Sequence, residues 1–181
     1  RSLNNSATLG ACISSGEINI KNSDFESNTA TDGNGGVFYN VNGTVLTSDF
    51  TTNEAQIGGV ANESSITVRD SSFISNKGFW GSVSGDLFYE TGANKESKYV
   101  NCFFDGNQST IFHGFNHEVI GSVLTGSERV YNNYNSVPAT FTAINCTILS
   151  NSAFKSNSHN ATIYLFNNII LGDNLFDSVS V

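Results

Sequence analysis

Asp24 and Asp49 stand 25 residues apart, and each immediately precedes a phenylalanine. Two carboxylates brought close by a fold could act as acid and base on a glycosidic bond, or hold Ca2+. A working groove would need Arg, Lys or further Asp beside them. The arginines present, Arg1, Arg69 and Arg129, fall outside that register, so the pair reads as a solvated face. His113 and His117 flank Gly114 at a spacing of four. Zinc binding at that spacing asks for a helix and a third ligand, and the two read as surface or turn residues. Three cysteines, an odd number, argue against a disulfide framework. Cys102 and Cys146 read as buried free thiols. Gly33-x-Gly35-Gly36 precedes the strand-like Val37-Phe38-Tyr39, not a helix whose N-terminus could hold phosphate. No catalytic residue, metal ligand or cofactor site is expected.

Two kinds of surface group remain. Six Asn-x-Ser/Thr sequons occur, at Asn4, Asn42, Asn62, Asn107, Asn145 and Asn160. Composition alone accounts for about that many, so position is the better guide. Asn42, Asn62 and Asn160 fall in expected turns and are the candidate glycosylation sites. Phe79-Trp80 shares a turn position with Gly33-Asn34 and Gln56-Ile57. Flat rings there could contact a glycan or a protein, or pack beneath a neighbouring loop.

The composition narrows the class. With 8 basic against 16 acidic residues and a formal charge of −8, the chain lacks the basic clusters that nucleic acid demands. No apolar run approaches the roughly 18 residues of a membrane-spanning helix. Charged residues make up 13% and aromatics 12%, the opposite of a disordered composition. Asn, Ser and Thr number 25, 25 and 15.

These residues are organised by a repeat. Gly10-Ala11-Cys12, Gly35-Gly36-Val37, Gly58-Gly59-Val60 and Gly81-Ser82-Val83 share one pattern, and a Phe follows the first three at a spacing of 15. Phe25, Phe50, Phe73 and Phe104 are each followed three residues later by Asn28, Asn53, Asn76 and Asn107. Ile148 with Asn151, Ile170 with Asp173, and a degenerate Val123 with Gly126 continue the series. Alternating stretches such as Ile18-x-Ile20 and Ile66-x-Val68 mark strands. A unit of 20–25 residues cannot bury its apolar face alone, and stacking units into a solenoid does so. The chain therefore reads as an all-β, right-handed parallel β-helix of about seven coils, a single domain over 1–181 with an inserted loop near 85–96. Phe25, Phe50, Phe73, Phe104, Val123, Ile148 and Ile170 form an expected apolar column. Asn28, Asn53, Asn76, Asn107 and Asn151 form an expected amide ladder. Gly10, Gly35, Gly36, Gly58, Gly59 and Gly81 sit at a corner that needs positive φ or leaves no room for a side chain.

Gly-Gly-Val-Phe at 35–38 and Gly-Gly-Val-Ala at 58–61, paired with Phe-x-x-Asn, resemble the polymorphic outer membrane protein repeat of chlamydial surface autotransporters. The likeness covers residues 10–110 through both motifs, and 111–181 through the FxxN half. It implies a right-handed parallel β-helix and a cell-surface adhesive or structural role. The expected function is accordingly a non-enzymatic extracellular or cell-surface module: a stalk, adhesin, or filament or lattice subunit. The alternative is a polysaccharide lyase or hydrolase on the same scaffold. The apolar residues 175–181 carry no polar cap. The chain is thus expected to belong to a longer protein or assembly, with protein contact or self-association through the solenoid ends and a glycan as a further partner.

Overall fold

The structure is a computed structural model that describes residues 2–85, 95–114, 116–133, 138–156 and 161–177. It is a parallel β-helix of about six turns, against the seven expected. Most of the expected insertion at 85–96 lies outside the described residues.

Three faces wind around one core. Face A stacks eight short parallel strands, from Ser2–Leu3 and Asp24–Glu26 to Thr147–Leu149 and Ile169–Leu171. Face B is a branched sheet of thirteen strands. Its first coils run as unbroken nine-residue strands, Ile13–Lys21 and Phe38–Leu46, and later coils split the same path in two. Face C has four strands: Ser6–Ala7, Thr29–Asn34, Glu54–Ile57 and Lys77–Trp80.

The register on face A pairs Phe25 with Phe50, Phe50 with Phe73, and Phe73 with Phe104. Neighbouring rings lie nearly parallel with centroids 5.0, 4.9 and 4.9 Å apart. That separation follows from the strand spacing and falls within the range favoured for offset aromatic pairs. Beyond Phe104 the column passes to Leu124 and then to Ile148. Val123, the expected anchor, faces solvent instead. Two adjacent apolar residues leave alternation undecided, and the register shows that the second one is inside. Correcting this anchor moves the small-residue position from Gly121 to Ser122, whose hydroxyl accepts the Cys102 amide at 3.0 Å. Ser122 thus lies between Cys102 and Cys146, which are both free thiols.

Beside the phenylalanines runs the amide ladder. The Asn53 side chain accepts from the backbone and side chain of Asn28 at 3.1 and 2.9 Å. It donates to the Phe25 carbonyl at 2.9 Å and to the Asn76 amide oxygen at 3.0 Å. Asn76 repeats the pattern toward Phe50 and Asn107, and Asn5 extends it by one coil at the other end. These bonds satisfy backbone groups that a corner would otherwise leave buried and unpaired. They also hold the preceding residue in the left-handed region, at Ser27, Thr52 and Ser75 with φ of 54° each. A β-branched residue such as Thr52 adopts that conformation only where its surroundings enforce it. Asn151 does not join the ladder and is exposed; the row continues from Asn107 to the buried Ser127 and stops.

The glycine corner combines two requirements. Gly35 and Gly58 have φ of 69° and 60°, and a Cβ on either would lie 1.9 Å from a backbone oxygen. Gly36 and Gly59 lack positive φ but have no room, since a Cβ on Gly36 would stand 2.1 Å from the Gly59 carbonyl oxygen.

Replacing Asn53 by Ala orphans several buried groups and is expected to cost about 3–5 kcal/mol. Asn151→Ala is expected to stay within about 0.5 kcal/mol of wild type. Urea denaturation measures both, and equal losses at the two positions would refute the ladder.

Candidate functional site

Outward-facing charges do not converge where the sequence first raised the question. Asp24 and Asp49 are neighbours in register on face A, and both are exposed. Ser72, one coil on, donates its hydroxyl to the Asp49 carboxylate at 2.5 Å. Among the described residues no group of three His, Cys, Asp or Glu is placed to hold a metal ion.

The histidines correct the expectation. His113 and His117 are 1% and 2% exposed and belong to the interior, not to the surface or a turn. His117 lies on the strand Asn116–Ile120, between Ser97 and Phe141 of adjacent coils. Its ring is 5.1 Å from that of Phe112 and 6.3 Å from that of Tyr131. Neither ring nitrogen has a well-formed hydrogen bond. Burial drives its pKa down to about 3 from an ordinary 6.5; the His113 backbone opposes the shift and the His113 charge adds to it. Burial also raises the Cys102 thiol to about 11, which leaves it an inert core group at neutral pH.

The candidate glycosylation sites divide. Asn42 is exposed, but on the strand Phe38–Leu46 and not in a turn. Asn62 is buried on Ala61–Asn62, which removes it as an acceptor. Its partner across the sheet is Tyr39, and the short strand turns inward after the glycine corner. Asn160 lies outside the described residues.

Phe79 and Trp80 sit on the strand Lys77–Trp80, not in a turn, with Trp80 paired to Ile57. Their environment arises from a shortening of face C along the chain. Seven positions separate Asn53 from Val60 and Asn76 from Val83; only four separate Asn107 from Ile111, three Ser127 from Val130, and two Asn151 from Ala153. Face C accordingly ends at Lys77–Trp80, and beyond it a single bridge joins Lys77 to Gln108. The step leaves a trough of about 590 Å3, with Thr31, Gln56 and Phe79 on one side and Gln108, Ser109 and Glu128 at the ledge. Small residues Ala30, Ala55 and Gly78 form its floor. Gly78 itself has no room for a side chain, because a Cβ there would lie 2.2 Å from the Gly81 carbonyl oxygen.

Sequence reading named Phe79 and Trp80 but missed Gln56, Lys77, Gln108 and Glu128. The signal was available in the falling distance between each ladder residue and the next Val-type corner residue. Comparison of the chain with protein-family models, with curated proteins and with solved structures finds no match in any of the three. The fold thus stands on the structure itself.

The unfolded chain takes up a proton on His117 near pH 6.5, whereas the folded chain does so only near 3. Between those values the unfolded state binds more protons, so stability falls as pH is lowered through this window. The loss attributable to His117 is on the order of 4 kcal/mol. His117→Leu is expected to flatten the dependence between pH 6.5 and 3, measured by urea denaturation at each pH. Parallel curves for the two proteins would refute this assignment.

Proposed function

We propose that this chain is a non-enzymatic structural and adhesive module of the cell surface or extracellular space, a rigid rod that makes its contacts through fixed outward faces. The observation that carries this reading is a change in chemistry along face A. One outward row runs Asp24, Asp49, Ser72, Phe103, Val123, Thr147, Ile169 in register. The acidic and hydroxyl half keeps a stackable rod soluble. The apolar half exposes Phe103 and Val123, with Ile169 at 61% and Leu171 at 60%, and Leu149 beside them. Exposed apolar surface of this kind, interrupted in this row by Thr147, marks an interaction site.

A largely apolar sheet surface packs well against another of the same kind. The occupant proposed is therefore a second copy of the chain, joined face to face. Sedimentation velocity tests this. Wild type is expected to dimerise with increasing concentration, and Phe103→Ser with Ile169→Ser to weaken dimerisation about tenfold or more. A wild-type chain that stays monomeric at high concentration would overturn the proposal.

A further inference from the structure

We propose that the trough on face C is a binding site for a neutral oligosaccharide. This deepens the adhesive reading by naming a ligand on a face separate from the self-association surface.

The first argument is charge. Glu54 is paired with Lys77 at 2.5 Å, and Glu128 with Arg129 at 2.9 Å. The four formal charges cancel in pairs, so the trough offers neither an anion nor a cation an electrostatic gain. It offers hydrogen-bonding groups instead: the amides of Gln56 and Gln108, the hydroxyls of Thr31 and Ser109, and the paired carboxylates. Amides and carboxylates that donate or accept in two directions suit vicinal hydroxyls.

The second argument is Phe79. At 69% exposed it is the most exposed large hydrophobic residue among those described. It is also braced. Its ring meets Trp80 edge to face, centroids 5.0 Å apart at 86°, and Trp80 in turn lies 5.1 Å from the ring of buried His113. An aromatic ring held by a second ring anchored in the core is a preformed platform, which lowers the entropic cost of binding. Its electron-rich face suits the C–H face of a sugar ring, and the polar groups around it suit that sugar's hydroxyl rim.

Dimension is the third argument. The trough runs from Thr29–Thr31 across Glu54–Gln56 and Lys77–Phe79 to Gln108 and Glu128; these five coils span about 19 Å at the interstrand spacing, and the trough holds about 590 Å3. Several sugar rings fit along it. A peptide adding to the edge of Lys77–Trp80 is the competing occupant, but Gln108 already bridges that edge at Lys77.

Trp80 is the only tryptophan in the chain, so its fluorescence reports directly on this site. The probes are cellohexaose, chitohexaose, laminarihexaose, xylohexaose and mannohexaose. At least one is expected to give a saturable fluorescence change that persists between about 50 and 500 mM salt. Phe79→Ala and Gln56→Ala, both at exposed positions, are expected to weaken it tenfold or more with unchanged thermal unfolding. Phe103→Ser with Ile169→Ser is expected to leave it intact, so failure of the self-association reading and failure of this one are distinguishable. No response to any probe, wild-type binding by Phe79→Ala, loss of binding at high salt, or release of new reducing ends would each overturn the proposal.

Discussion

In a parallel solenoid each residue sits one strand spacing above a residue of the same position in the next coil. Every position must therefore tolerate its own likeness about 4.8 Å away. Most polar side chains fail this test when buried, because identical groups repel or leave hydrogen bonds unmade. Asparagine passes it: each amide accepts from the coil on one side and donates to the coil on the other, as Asn53 does between Asn28 and Asn76. The same amide reaches the Phe25 carbonyl, tying the corner to the aromatic column. Phenylalanine passes for another reason, since flat rings stack with themselves. The left-handed residues Ser27, Thr52 and Ser75 and the Phe column from Phe25 to Phe104 lie along this ladder, which holds their register.

Where the ladder ends, the architecture changes. After Asn107 its place is taken by Ser127, and Asn151 lies exposed at the surface. Over the same coils face C shrinks from four-residue strands to a few connecting residues. The shortening produces the ledge that makes the trough, and it places Trp80 against His113. A feature of the scaffold thereby generates the concave, polar surface on which the ligand proposal rests.

Much of this was legible in the sequence, and the failures have physical causes. Phe-x-x-Asn at regular spacing defined face A and its ladder, because the constraint of self-stacking leaves a repeated residue type. Val123 was misread since Val123 and Leu124 are both apolar, and only the pairing with Phe104 decides between them. His117 was misread as a surface group because its type is polar, although its spacing from Val119 follows the inward alternation of Asn116–Ile120. Asn62 looked like a turn residue beside Gly58-Gly59, and the chain in fact enters a buried strand there. The trough was not legible from residue types at all. It comes from what later coils omit, and an omission shows only after coils are aligned.

Side-chain amide hydrogen exchange, resolved by NMR, tests the ladder most directly. The amides of Asn28, Asn53, Asn76 and Asn107 are buried and bonded from coil to coil, so their exchange should require global unfolding. Asn151 should exchange as fast as a free amide. Ladder amides exchanging at the rate of Asn151 would contradict the account.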